Sequence, residues 1–198
     1  MEAPTRIRMD PSERRELIVR AALRLFGTRG YAATRLDDVA AAAGVTKPMV
    51  YRHFASKKDL YLALLHRHEA DLPTFIERAS AHIGPGSPPE ALIAASLDGW
   101  LDYVEENSDS WLVIFRDKTG DEEIEQARQR VNDSAVEVLA GFIAASAPHL
   151  ASDLVEPRAA FLSNGLAGLV LWWIDHPRAS RGTVQATATR ACEAVLGR

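Results

Sequence analysis

The stretch from Thr34 to Lys57, T-R-L-D-D-V-A-A-A-A-G-V-T-K-P-M-V-Y-R-H-F-A-S-K, decides the fold. Leu36, Val39, Ala40 and Ala43 recur at helical spacing, and their small members let a second helix cross closely. Gly44 supplies the left-handed residue that ends a helix, and Val45 plugs the turn from inside. Thr46 is read as the cap of the next helix, with Lys47 and Pro48 in its first turn, where a missing N–H costs nothing. Val50 and Phe54 face inward, which leaves Lys47, Met49, Tyr51, Arg52 and His53 on the outer faces. Ser56 then caps a further helix, with Asp59 three residues on.

A protein that reads duplex DNA needs a helix that fits the major groove and phosphate donors that hold its register. Helix starts with unpaired N–H groups are natural phosphate binders. Thr34, Thr46 and Ser56 are three predicted helix starts close together, each with a neighbouring cation: Arg35, Lys47 and Lys57. Taken alone, the same caps also suit an ordinary helical bundle.

Upstream, Asp10-Pro11-Ser12-Glu13 reads as a capping box. The rows Leu17/Ala21/Leu25 and Ile18/Ala22/Phe26 follow, stopped by Gly27 and Gly30. Arg6 and Arg8 precede it, on an arm that either tracks a minor groove or is a simple tail. Downstream of Ser56 a fourth helix is expected to run to about Ile83, bent or broken at Pro73. Gly84-Pro85-Gly86-Ser87-Pro88-Pro89 is the clearest linker. Helices follow along Ile93–Val104, around Trp111–Arg116, from about Asp121 to Pro148, from Pro157 to Ile174, and from about Gly182 to Leu196. The expected fold is all-α. An N-terminal arm and three-helix helix-turn-helix head occupy residues 1–56, and a helical ligand-binding and dimerisation domain occupies residues 57–198.

Composition agrees with a DNA-facing head on a separate body. Residues 1–60 carry 12 Lys/Arg against 7 Asp/Glu, and residues 61–198 carry 11 against 20, within a net charge of −4. A basic end on an acidic body suits a polyanion partner. The single cysteine, Cys192, excludes an internal disulfide framework and reads as a small buried hydrophobe. The polar N-terminus lacks a secretory core, and no segment is long and apolar enough to span a bilayer, so a cytoplasmic protein without membrane contact is expected. No nucleophile elbow, phosphate-cradling glycine loop or Cys/His metal spacing is present, and His66 and His68 fall on different helix sides. Neither catalysis nor a cofactor or metal is therefore expected.

Residues Glu16 to Leu60 closely resemble the DNA-binding head of the TetR family of bacterial transcriptional regulators. The resemblance runs through A-A-L-R-L-F-G-T-R-G-Y, Thr34, D-D-V-A-A-A-A-G-V-T-K, and Val50-Tyr51-Arg52-His53-Phe54 with Ala55-Ser56-Lys57-Lys58-Asp59-Leu60. It implies phosphate contacts from Thr34, Arg35 and Lys57. Thr46, Lys47 and Pro48 would enter the groove, and Tyr51 and His53 would meet phosphates or a thymine methyl. Arg52 reaches phosphate or an acidic neighbour. Pro48 stands where glycine is frequent in the family, and Met49 where a small or hydroxylated residue is frequent, so Met49 is expected to act through apolar contact.

For the body, the resemblance implies a homodimer formed by the last two helices, a palindromic operator in double-stranded DNA, and repression relieved by a small-molecule effector. An activator of the same fold, or a helical interaction module without DNA binding, are the alternatives. Trp100, Tyr103, Trp111, Phe115 and Phe142 are candidate pocket residues, with Asn164 and Asn132 as polar anchors. The scarcity of buried charge among them favours an apolar or amphipathic ligand.

Overall fold

The computed structural model describes residues 10–80 and 89–197. The arm with Arg6 and Arg8, and the linker 84–88, lie outside the described residues. Nine α-helices and one π-helical turn, and no strand, make up the described residues. Helix α1 is Pro11–Ala33. Asp10 caps it by accepting the Ser12 N–H at 2.7 Å, and Glu13 accepts the Asp10 N–H at 3.3 Å, completing the capping box. Ile18, Ala22 and Phe26 are fully buried, as the apolar rows require.

Only one of the two glycines expected to stop α1 does so. Gly30 breaks the helix at φ 79°, ψ 167°, a region only glycine enters readily. Gly27 remains helical, and a Cβ there would stand 3.2 Å from the Asp109 carbonyl oxygen. Its small size lets another helix approach, which is a tertiary reason that the local sequence does not display.

Helices α2 (Leu36–Ala42) and α3 (Lys47–His53) complete the head. Helix α4 (Lys57–Ser80) runs past Pro73 without the predicted break. Helix α5 (Pro89–Glu106) leads into the short α6 (Ser108–Trp111) and the π-helical turn Leu112–Arg116. Then come α7 (Glu122–Ser146), α8 (Ser152–Asp175) and α9 (Arg181–Val195). Helix α8 starts five residues before Pro157, the predicted start, and carries that proline inside it. Packing of Leu150, Val155, Ala159 and Leu162 into the body core offsets the one helical hydrogen bond that the proline removes.

Two hydrophobic cores result. The first joins the head to the body: Ile18, Phe26, Val39, Val50 and Phe54 pack with Leu60, Tyr61 and Leu65 of α4, Val113 and Ile114 of the π-turn, and Ile124 of α7. The second lies among α5, α7, α8 and α9, around Leu97, Leu101, Ile143, Leu162, Val170 and Val184. Arg181, at the start of α9, ties α9 to α5 through Asp98, Asp102 and Glu105 at 2.6–2.7 Å.

Candidate nucleic-acid interface and the cavity behind it

The turn between α2 and α3 closes as the sequence indicates. Gly44 adopts φ 66°, the Val45 N–H donates to the Ala40 carbonyl at 3.0 Å, and the Gly44 N–H donates to Ala41 at 3.2 Å. This paired closure fixes the exit direction of α2. Val50, 0% exposed, and Phe54 then anchor α3 from below. Arg35, Thr46, Lys47, Pro48, Tyr51 and Arg52 remain exposed on and beside α3. Tyr51 is 48% exposed, which is unusual for a large ring without a partner surface. Lys47 meets Asp37 at 3.0 Å, both groups being about half exposed. Such a pair contributes little and leaves the ammonium available to a phosphate.

Three assignments change, those of Thr34, Lys57 and Thr46. Thr34 does not cap α2. It is 1% exposed, and its hydroxyl donates to the carbonyls of Gly30 at 2.8 Å and Leu25 at 3.1 Å. It therefore secures the end of α1, and its side chain is not presented to phosphate. Lys57 is also turned inward: Nζ donates to the carbonyls of Tyr31 at 2.9 Å and Thr34 at 3.1 Å and lies 4.3 Å from the Tyr31 ring centroid. Its ammonium compensates the carbonyls at the end of α1. Met49 is half-buried, and its sulfur accepts from Arg14 at 3.8 Å. Thr46 occupies the cap position of α3 but makes no side-chain cap bond. Of the three predicted caps only Ser56 acts as one, accepting the Asp59 N–H at 3.0 Å.

His53 is intermediate. Its ring is half-buried, and Nε2 is buried without a hydrogen-bond partner among the described residues. Burial first, then the charges of Arg14, Arg52 and Arg15, hold its pKa below the usual histidine value.

Behind the head, side chains of α4 to α9 and of the π-turn line a partly open cavity of about 540 Å³. Trp100, Tyr103, Trp111, Phe115 and Phe142 all line it. Asn164 is exposed and donates to the Ala160 carbonyl at 2.8 Å, and neither it nor Asn132 lines the cavity. The polar side chains that line it include His68, Ser96, Glu137 and Ser163. His68 was legible only as half of an unsuitable metal pair. Its role depends on Tyr103, whose hydroxyl lies 3.0 Å from Nδ1 across 35 residues of chain. Cys192 is buried as expected, and its thiol pKa is pushed up to about 11 by burial and by Glu193. Among the described residues no cluster of metal-ligating side chains occurs.

A Schellman-closed helix-turn-helix on a helical body with a cavity behind it is the architecture of a DNA-binding regulator. Comparisons with known proteins make that specific. A family model described as bacterial regulatory proteins, tetR family, matches residues 18–64, and one described as tetracyclin repressor-like, C-terminal domain, matches residues 89–194. The chain belongs to the TetR family of transcriptional regulators. It is 29% identical over 189 residues to the HTH-type transcriptional activator FasR of Mycolicibacterium smegmatis, covering 90% of this chain and 83% of that protein. The crystal structure of a TetR-like regulator from Rhodococcus sp. RHA1 is similar with a TM-score of 0.74 and 24% identity, over 96% of this chain and 100% of that one. The regulator FadR from Bacillus subtilis, solved in complex with stearoyl-CoA, is similar with a TM-score of 0.69 and 17% identity, over 91% and 97% of the two chains. These relatives are transcriptional regulators, a class that acts by binding. Among the described residues no helix is long and apolar enough to cross a membrane.

Proposed function

We propose that the chain is a cytoplasmic, ligand-responsive repressor that binds a palindromic operator as a homodimer and leaves it when a small molecule fills the cavity. The observation that carries the dimer is the outer face of α8. Leu154, Phe161, Gly165, Gly168 and Trp172 fall on one side of the helix, with Phe161 69% and Trp172 43% exposed and nothing near the two glycines. An apolar face of this kind, flat at its centre, suits isologous packing against a second copy, with the small residues Ala186 and Ala194 of α9 exposed nearby. Two heads then meet successive half-sites. Arg35, Thr46, Lys47, Pro48, Tyr51, Arg52 and His53 supply the DNA contacts, with Met49 at the margin. Thr34 and Lys57 act by holding the head in shape.

The link from cavity to head is the segment Trp111–Asp117. Trp111 and Phe115 line the cavity. Arg116 pairs with Asp175 of α8 at 2.6 Å, and Asp117 accepts the Tyr31 N–H of the head. A ligand that shifts the aromatic wall therefore acts on the head and on the dimer helix through adjacent residues. FasR, named an activator, supports the opposite regulatory sign as the second reading. Selecting bound fragments from the source genome and measuring transcription from the bound promoter with and without the protein tests both. Specific binding with increased transcription overturns repression, and absence of specific binding overturns the regulator reading in favour of an interaction module.

A further inference from the structure

Trp111 forms part of the cavity wall, and it is 7% exposed. Its indole N–H is buried and has no acceptor among the described residues. Its ring is held by its neighbours: stacked on Phe115 with centroids 4.9 Å apart, and edge-on to Trp100 at 6.2 Å and His68 at 6.1 Å. A buried donor is normally satisfied by protein, water or ligand. The ring that carries it lines a cavity built mostly of rings and aliphatic side chains, where an oxygen of a bound molecule would supply the missing acceptor.

The charge of the cavity narrows the class further. Burial pushes the His68 pKa down to about 4, so the ring is neutral near pH 7. Burial likewise raises the pKa of the Tyr103 phenol, which stays protonated. The Tyr103 hydroxyl lies 3.0 Å from His68 Nδ1, so two neutral groups share a hydrogen bond at the wall. Ser96 and Ser163 add hydroxyls, and among the described residues no Lys or Arg lines the cavity. Among the described lining residues the one acidic side chain is Glu137, on an exposed part of α7. A carboxylate or phosphate entering here leaves water without gaining a positive partner and approaches Glu137.

We propose that the cavity takes an uncharged, largely apolar molecule bearing a carbonyl or ether oxygen that accepts the Trp111 indole N–H, and that it selects against anionic lipids. The inference rests on the ligand-responsive reading above and deepens it. It sets this chain apart from the regulator solved with stearoyl-CoA, whose ligand carries several phosphates.

The test uses the full chain and two matched probe pairs at neutral pH: methyl dodecanoate against dodecanoate, and benzophenone against benzoylbenzoate. Binding is followed by tryptophan fluorescence and thermal unfolding. The expected result is that at least one neutral probe binds about tenfold or more tightly than its anionic partner. Trp111→Phe keeps the stacked ring and removes the N–H, and should weaken the neutral probe by about three- to tenfold. Anions that bind as tightly as the neutral probes overturn the ligand class while leaving the cavity a ligand site. Binding by neither neutral probe, or a neutral probe indifferent to Trp111→Phe in a folded variant, overturns the inference. Operator binding and dimerisation are measured without ligand, so their failure is distinguishable from failure here. The probe comparison needs only the unmodified chain and stands even if the variant fails to fold.

Discussion

The carboxylate of Asp117 accepts the backbone N–H of Tyr31, joining residues 86 positions apart. The contact sits where glycine is required: Gly30 turns the chain at φ 79°, and a Cβ there would lie 3.3 Å from the Asp117 carboxylate. Behind it, the Tyr61 hydroxyl donates to the Val113 carbonyl at 2.8 Å, and Arg128 donates to that hydroxyl at 3.0 Å. Head, π-turn and α7 thus meet at one hydrogen-bonded junction between the DNA-facing surface and the cavity.

Asp117→Ala leaves the Tyr31 N–H, half-buried, without its acceptor. A loss of about 1–3 kcal/mol in unfolding free energy is expected from urea titration. Asp117→Asn, which keeps an acceptor oxygen, should recover most of it. If both variants unfold at the same denaturant concentration as the parent, the junction contributes nothing.

Lys57→Ala is expected to act on stability before it acts on DNA. It removes two carbonyl contacts and a cation over the Tyr31 ring, at a half-buried site. A cost of about 1–2 kcal/mol follows. Arg35→Ala, at an exposed position, should leave the unfolding midpoint nearly unchanged and weaken operator binding. An unchanged midpoint for Lys57→Ala would return that residue to the phosphate contacts.

The contrast shows what could be read from the sequence. The Gly44 turn, the buried Val50 and Phe54 and the Asp10 capping box all follow from local spacing, and the structure has them. Thr34, Lys57 and Asp117 do not, because their partners lie 4 to 86 residues away along the chain and depend on how the chain turns at Gly30. Asn164 was polar at a plausible helical position, but rotation about α8 puts it on the outer side, and Ser163, its neighbour, faces the cavity instead.

Phosphate contact by the exposed cations predicts steep salt dependence. Log K for the operator should fall linearly with log salt, and removing one contacting cation should reduce the slope by about 0.9. Arg35→Ala and Arg52→Ala test this one charge at a time. Tyr51→Ala should weaken binding with the slope retained, because it removes contact without removing charge. A slope unaffected by either arginine would place the phosphate contacts elsewhere.

Phe161→Glu should separate the dimer without unfolding the protomer. Phe161 is 69% exposed in the single chain, so the substitution removes little of the protomer core, while two symmetry-related carboxylates would face each other across the proposed interface. Sedimentation at micromolar concentration should show the parent as a dimer and the variant as a monomer with an unchanged helical spectrum. A parent that sediments as a monomer removes the interface.

His68 makes stability depend on pH in a defined direction. Its pKa falls from 6.5 in the unfolded chain to about 4 in the folded one, through burial. The unfolded chain therefore binds the proton more readily, and folding loses stability as pH drops from about 6.5 toward 4. At about 1.4 kcal/mol per pKa unit, the contribution is on the order of 3 kcal/mol at most. Carboxylates titrate in the lower part of the same window, so the comparison is between the parent and His68→Gln. The variant keeps a hydrogen-bonding partner for Tyr103 and lacks the titration. Its urea stability should fall less than the parent's over that interval. Parallel curves for the two proteins would show that His68 remains open to protons in the folded state, and the cavity would then be wetter and more polar than its lining implies.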